Sequence, residues 1–539
     1  MTEINVAFAQ TNPVVGDVDH NLDLIIEAAT RVAGQADILI TGELALSGYP
    51  MGDLSYREDI IASSMQALDK LVTVSAEKKF RSMHLVVGHI SPALKNPPAA
   101  QSSLAIAHNS ASVIRNGKLL GTYSKQTLPN YDVFDDWRNF VPGSEELIFE
   151  VNGEKCAIAI CEDIWAPESP RPRKLQGEGI ELLLVLNGSP YTRNKAAERK
   201  DAAMAFQQGF ALAYANLSGA QDELVFDGGS FLLDEHGQDV FQAPFDQGSF
   251  LAVPSNERGS QDDELATLWK VLVEGLRQYC EKTNQRSIVL GLSGGIDSAV
   301  CAALASEAIG AKNVIGVALP SRYSSDHSIS DASDLAHNLQ LDFRTLPIEK
   351  VHSAFEETMD FSPLAAENLQ ARIRAVLLMG ISNSEGALLL STGNKSEIAV
   401  GYSTMYGDAA GGFAPIKDVF KTDVWRLARW LNSSRGEELI PIGSIEKPPS
   451  AELRPDQVDA DSLPDYELLD QILTLLIEKS ATIDQVVAGG FESELVKKIE
   501  NMIRSSEWKR SQGAIGTKTT AVSFGTGRRI PLTTRFGNL

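Results

Sequence analysis

The sequence predicts an α/β protein of two domains, a layered α/β unit followed by a doubly wound parallel sheet. Three observations predict it. At 539 residues the chain is longer than one ordinary core supports. Short apolar runs alternate with segments of helical period along both halves. Between the halves, Pro254–Glu264 (P-S-N-E-R-G-S-Q-D-D-E) is polar and lacks an apolar period, as a linker does. The expected division is 1–254, a joining segment 255–264, and 265–539.

In the first half, Ile4–Ala9 is an apolar run and the first strand. Asn21–Ala33 carries apolar residues at helical spacing, and Ala36–Thr41 is a second strand ending at Gly42-Glu43-Leu44. His84–Ile90 is a third. Ser103–Ala107 and Ala111–Ile114 precede Asn116-Gly117, a strong hairpin signal. Lys155–Cys161 and Leu182–Leu186 read as buried strands. In the second half, Leu265–Cys280 has leucines at four-residue spacing and reads as a helix. Ile288–Leu292 is a strand, and Ala299–Leu304 a helix. Asn313–Leu319 and Phe343–Ile348 are strands flanking the helix Ser328–Asn338, and Ala387–Leu390 is a further strand. Such alternation places a ligand at the carboxyl ends of parallel strands.

Composition narrows the function. A formal net charge of −23 disfavours broad electrostatic binding to nucleic acid or an anionic membrane. Any phosphate ligand must therefore meet local positive groups. The four cysteines, Cys156, Cys161, Cys280 and Cys301, form no C-x-x-C pair and are too few for a disulfide framework. The N-terminus, M-T-E-I-N-V-A-F-A-Q, lacks the pattern of a signal peptide, and no window approaches ~18 uninterrupted apolar residues. A cytoplasmic protein with no membrane partner is expected.

Two sets of residues carry chemistry. The first is Glu43, Lys125 and Cys161, each at a strand end. A thiol at a strand corner is a nucleophile when a lysine stabilises developing negative charge and a carboxylate moves the proton. Taken singly, each also fits a duller role: a small core cysteine, a solvated charge. Cys156, on the same strand as Cys161, is expected to face the other side and to be structural. The second set is Ser287–Ser298, S-I-V-L-G-L-S-G-G-I-D-S, where a strand, a glycine loop and a helix start form a phosphate cradle. It is neither a Walker A loop nor a dinucleotide fingerprint. Asp297 there has the chemistry to hold a Mg²⁺ that bridges phosphates.

Both sets resemble known families. G-E-L-A-L-S-G-Y-P around Glu43, S-K-Q-T-L-P around Lys125 and C-E-D-I-W around Cys161 are similar to the nitrilase superfamily, which hydrolyses carbon–nitrogen bonds. That resemblance implies an αββα sandwich, with Glu43 as general base, Lys125 steadying the tetrahedral intermediate and Cys161 attacking an amide carbon. The N–H of Glu162 would complete the oxyanion hole. Tyr131, Ser189 and Lys195 match positions that hold glutamine in glutaminase members, and Asp136 stands where the family often has a glutamate. S-G-G-I-D-S resembles the loop of the ATP pyrophosphatases, which have a doubly wound, adenine nucleotide α-hydrolase-like fold.

E-N-L-Q-A-R-I-R, S-T-G-N-K-S-E-I-A-V-G-Y-S-T-M-Y-G-D, S-R-Y-S-S, K-P-P-S-A-E-L, W-K-R-S-Q-G and F-G-T-G-R-R are similar to NAD synthetases. With both cassettes in one chain, the resemblance is to the glutamine-dependent NAD synthetase family. It implies glutamine, ATP and deamido-NAD⁺ as substrates, Mg²⁺ as cofactor and a homo-oligomer. Gly291, Leu292, Ser293, Gly294, Gly295, Ile296, Asp297, Ser298, Thr392 and Lys421 would contact ATP. Asn368, Arg372, Glu397, Tyr402, Ser403, Thr404, Met405 and Lys509 would contact deamido-NAD⁺, and Asp297 and Glu397 would hold the metal. Met405 stands where ammonia-dependent relatives often carry lysine. Ammonia is mostly ammonium at neutral pH, so the chemistry calls for a dry internal passage.

Rival readings are an asparagine or GMP synthetase, or a binding protein with inactive loops. Asparagine synthetases of this type start with cysteine, whereas this chain starts Met1-Thr2. GMP synthetases use a Cys–His–Glu glutaminase, and no such histidine accompanies Cys161. The acidic stretch Pro455–Asp470 reads most simply as solvated surface and alternatively as a lid.

Overall fold

The computed structural model describes residues 4–93, 101, 104–252, 263–455 and 457–534. The chain divides into two compact units, Met1–Gln261 and Asp262–Leu539. Of the expected joining segment, 255–262 lies outside the described residues. Asp263 and Glu264 do not belong to a linker. The Asp263 side chain caps the helix Glu264–Lys282 by accepting from the Leu265 N–H. Among the described residues no helix is long and apolar enough to cross a membrane.

In the first unit two six-stranded sheets face one another. The parallel strands Val6–Gln10, Ile38–Thr41 and His84–Pro92 form the middle of one. Glu154–Ile160, Leu182–Asn187 and Ala211–Asn216 form the middle of the other. Side chains alternate between faces, as strand geometry requires. Ile38 and Ile40 point into the layer between the sheets, where they join Phe8, Ile158, Leu184 and Leu186. Leu39 and Leu85 point outward and pack under the helices Val18–Arg31 and Glu58–Ser75. Leu183 and Val185 likewise pack under the helices Arg171–Gly177 and Lys195–Phe206. The result is the αββα sandwich.

The Asn116-Gly117 signal is a true two-residue hairpin: Arg115 pairs with Lys118, and both turn residues have positive φ, 45° and 75°. The expected break between Ser103–Ala107 and Ala111–Ile114 is absent. Ala107–Arg115 is one strand, and Ser103 lies outside the described residues. Polar Asn109 and Ser110 do not interrupt it because each is hydrogen-bonded, to Glu43 and to Ser91.

The second unit is built on four parallel strands in the order Asp342–Thr345, Val314–Ala318, Ile288–Gly291, Leu388–Leu389. The chain winds outward from Ile288–Gly291 one way and then returns to its other side, so the switch point lies beside that strand. The helices Glu264–Lys282, Ile296–Ile309 and Lys421–Arg435 cover one face, and Pro363–Glu385 covers the other. A separate helical layer includes Tyr466–Leu473 and Ser493–Ser505. It corrects in part the reading of Pro455–Asp470 as solvated surface: Asp461, Asp465 and Glu467 are exposed, but Asp459 and Asp470 are buried. Asp470 accepts from the Thr422 N–H at 3.0 Å and from the Ser396 hydroxyl, and Asp459 accepts from the Tyr466 hydroxyl at 2.8 Å. A buried carboxylate persists where donors replace its water.

Candidate active sites

In the first unit, the strand Ile38–Thr41 delivers Glu43 and the strand Lys118–Ser124 delivers Lys125. Both side chains are fully buried, with Lys125 Nζ 2.7 Å from Glu43 Oε1. Lys125 also donates to Asp136 Oδ2 at 2.6 Å, and the Tyr49 hydroxyl donates to Asp136 Oδ1 at 3.3 Å. Glu43 further accepts from Asn109 Nδ2 at 2.7 Å and from the Gly188 N–H at 3.0 Å. Its backbone packs so closely on Gly88 that a Cβ there would lie 2.4 Å from the Gly42 carbonyl oxygen.

The strand Glu154–Ile160 ends one residue before Cys161, which takes φ 44° and opens a short 3₁₀ turn. A non-glycine residue in that region is strained, and such positions collect at reactive sites. The same turn corrects the expectation that Cys156 and Cys161 face opposite ways. Strand alternation stops at Ile160, and both cysteines belong to the layer between the sheets. Burial pushes the Cys161 thiol well above its usual range; Glu43 adds to this and Lys125 opposes it. Burial likewise raises the Glu43 carboxyl against the pull of Lys125. Burial alone would lower Lys125, but Asp136 and Glu43 outweigh it and hold the ammonium well above its usual range. A protonated thiol, a carboxyl of raised basicity and a fixed cation are thus brought together. That set can move a proton off a nucleophile and stabilise an oxyanion.

Tyr131 donates to Glu162 Oε2 at 2.9 Å, beside Cys161. Lys195 Nζ lies 4.3 Å from the Trp165 ring centroid and pairs with Glu198. Ser189 follows Gly188, but its hydroxyl accepts from Arg199 Nε at 3.0 Å, inside a buried network that ends on Asp227. Asn109, Tyr49 and Asp163 were not singled out in the sequence. A polar Asn in an otherwise buried strand was the one available signal, since it demands a buried partner.

In the second unit, Ile288–Gly291 leads through Leu292, Ser293, Gly294 and Gly295 into the helix Ile296–Ile309. Gly294 has φ +76°, and a Cβ there would lie 2.3 Å from the Ser328 carbonyl oxygen. Ser293 and Ser298 are engaged with the loop itself: their hydroxyls are 3.1 Å apart, and Ser298 donates to the Gly295 carbonyl at 3.0 Å. Asp297 opens the helix. It accepts from Asn394 Nδ2 at 2.9 Å and forms an ion pair with Lys421, which also reaches Glu397 Oε1 at 3.3 Å. Burial pushes the Glu397 carboxyl up to about 8, with Lys421 pulling the other way. Thr392 leaves the strand Leu388–Leu389, across the switch point from the glycine loop.

Asn368 and Arg372 face one loop. The Thr404 hydroxyl donates to Asn368 Oδ1 at 2.8 Å, and Arg372 Nε donates to the Met405 carbonyl at 3.2 Å. Lys509 Nζ donates to the carbonyls of Gly401 and Ser403, each at 2.7 Å. The Met405 side chain is buried. The Tyr402 N–H donates to the Glu397 carbonyl at 2.9 Å. Asn368, Arg372, Tyr402, Ser403, Thr404, Met405 and Lys509 therefore form one cluster, continuous through Glu397 with Lys421 and Asp297. Beside the glycine loop, Glu452 of the K-P-P-S-A-E-L segment accepts from Ser328 at 2.7 Å and Lys447 at 2.8 Å.

The family described as carbon-nitrogen hydrolase matches residues 5–253, and the family described as NAD synthase matches residues 268–513. The glutamine-dependent NAD(+) synthetase of Thermotoga maritima is 39% identical over 587 residues, covering 99% of each chain. That of Synechocystis is 41% identical, covering 98% of this chain and 99% of the other. Among solved structures, the glutamine-dependent NAD⁺ synthetase from Acinetobacter baumannii in complex with adenosine diphosphate is 36% identical. It has a TM-score of 0.77 and covers 98% of each chain. A glutamine-dependent NAD(+) synthetase from Cytophaga hutchinsonii shares the fold at TM-score 0.82 and 21% identity.

Proposed function

This chain belongs to the glutamine-dependent NAD(+) synthetases, and on that premise we propose how its residues divide the work. The enzyme is a carbon–nitrogen ligase. It converts deamido-NAD⁺ to NAD⁺ with ATP and with ammonia from glutamine, releasing AMP, pyrophosphate and glutamate. The buried Glu43–Lys125–Cys161 set in a chain that also carries the S-G-G-I-D-S loop is the observation that supports this reading most strongly.

In the first unit Cys161 attacks the glutamine amide carbon as Glu43 takes the thiol proton. The raised Glu43 carboxyl suits a base that must also return that proton to the leaving ammonia. Lys125, held charged by Asp136, and the Glu162 N–H stabilise the tetrahedral oxyanion. Water then hydrolyses the Cys161 thioester to glutamate. Tyr131, Ser189 and Lys195 hold glutamine.

In the second unit, Gly291, Leu292, Ser293, Gly294, Gly295, Ile296, Asp297 and Ser298 cradle the ATP phosphates at a helix start. Thr392 and Lys421 complete that site. Asn368, Arg372, Glu397, Tyr402, Ser403, Thr404, Met405 and Lys509 position deamido-NAD⁺. Its carboxylate attacks ATP and becomes an acyl adenylate, and ammonia displaces AMP. Asp297 and Glu397 converge on a single cation, the Lys421 ammonium, so the pair fits Mg²⁺, which takes one or two carboxylates plus substrate phosphates. Bound there, Mg²⁺ would neutralise phosphate charge.

The helices Glu349–Glu356 and Pro363–Glu385 expose Phe355, Leu364 and Val376, and the turn between them exposes Met359, apolar surface suited to pairing with a second copy. Light scattering of the parent and of Val376→Glu tests both points: a monomer mass for the parent refutes the homo-oligomer, and an unchanged oligomer mass for the variant refutes this interface. A cytoplasmic location agrees with the four free cysteines.

The purified chain, given glutamine, ATP and Mg²⁺ with deamido-NAD⁺, xanthosine monophosphate or aspartate, tests the substrate. NAD⁺ forms and the other two are left unchanged. Amidation of xanthosine monophosphate or aspartate instead would overturn the reading.

A further inference from the structure

We infer that Asp163 is a positioning residue for glutamine hydrolysis, a carboxylate that clasps the nucleophile's turn to the segment carrying Lys125. The inference rests on the roles of Cys161 and Lys125 given above. Asp163 is buried, 3% exposed. Its Oδ2 accepts from the Ile160 N–H at 2.9 Å, directly before Cys161, and from the Tyr123 hydroxyl at 2.7 Å. Its Oδ1 accepts from the N–H groups of Gln126 at 3.1 Å and Thr127 at 2.8 Å, directly after Lys125.

These partners come from two different sheets. Lys118–Ser124 is the edge strand of one, and Glu154–Ile160 lies in the other. One carboxylate therefore sets the spacing of nucleophile and cation where both strands end. Arg171 holds the carboxylate from behind: its Nη1 is 3.7 Å from Asp163 Oδ2, while it pairs with Glu146 and donates to the Ile158 carbonyl. The clasp has a specific task. Cys161 occupies the left-handed region at φ 44°, which a non-glycine residue leaves unless its surroundings hold it. The N–H of the preceding residue, anchored on Asp163, is part of what holds it.

The donors on both oxygens also explain why a carboxylate is required. An amide of the same shape accepts at one oxygen only, and its NH₂ group would face donors on the other side.

Asp163→Asn in the full chain is the test. Glutamine-hydrolysis kcat should fall ~100-fold, the cost of a slightly misplaced nucleophile. The glutamine KM should stay within about threefold, because the substrate-holding residues are untouched. Alkylation of Cys161 by iodoacetamide should slow in parallel, and NAD⁺ synthesis from ammonium chloride should be unchanged. Tyr123→Phe removes one of the hydrogen bonds and should lower kcat about fivefold. Parent-like kcat in Asp163→Asn would overturn the clasp. So would parent-like kcat in Tyr123→Phe, should Asp163→Asn fail to fold. Cys161→Ala run alongside separates the two failures: if it keeps glutaminase activity, the assignment of the nucleophile is wrong.

Discussion

Lys125 donates to Glu43 at 2.7 Å with neither side chain reaching solvent, and the same ammonium binds Asp136 at 2.6 Å. One buried cation thus balances two carboxylates. Replacing it with methionine leaves like charges facing each other in a desolvated site. Lys125→Met should destabilise the first unit by about 3–5 kcal/mol, the cost of orphaning a buried ion pair. Glu43→Gln, which keeps the shape, should cost less while abolishing glutamine hydrolysis equally. Hydrogen exchange in the strand Lys118–Ser124 and a glutaminase assay measure the two effects.

The glycine loop of the second unit offers a separable test. Gly294→Ala forces a Cβ to within 2.3 Å of the Ser328 carbonyl oxygen at φ +76°. Strain of about 1–3 kcal/mol follows, equivalent to roughly 5- to 150-fold in kcat/KM for ATP. The loss should appear with glutamine and with ammonium alike. Asp297→Ala, which also breaks the ion pair to Lys421, should remove synthesis from both donors. Initial rates against ATP with each donor provide the check.

His89 predicts a pH dependence. It is fully buried, bonded to the Ser112 hydroxyl at 2.8 Å, and burial pushes its pKa down to about 4. The unfolded chain takes up that proton near ~6.5, so between these values the unfolded state binds more protons than the folded one. Folding stability should therefore fall as pH drops from ~6.5 to ~4, by about 3 kcal/mol from this residue, and be flat above. Hydrogen exchange of the strand His84–Pro92 as a function of pH should show the fall, and His89→Gln should lessen it, leaving the part due to His84, which burial also pushes down to about 4.

Much of this was legible in the sequence because strand ends and glycine loops are local. Glu43, Cys161 and Asp297 each sit within two residues of a strand end or helix start that periodicity marks. What the sequence hid is long-range. The bond from Asn109 to Glu43 and the four donors gathered by Asp163 join strands distant in the chain. Asp459 and Asp470 read as surface because composition reports polarity and not the partners that make burial tolerable. The break expected before Ala111 failed for the same reason. Cys161 departed from strand alternation because one residue at φ 44° ends the period, and no local pattern announces such a residue.

Two separate sites that share one reaction should respond differently to loss of the thiol. The most direct test is NAD⁺ formation by Cys161→Ala with deamido-NAD⁺, ATP and Mg²⁺, supplied with glutamine or with ammonium chloride. No NAD⁺ should form from glutamine, and ammonium should support a parent-like rate. Equal loss with both donors, or an undiminished rate from glutamine, would contradict the two-site division.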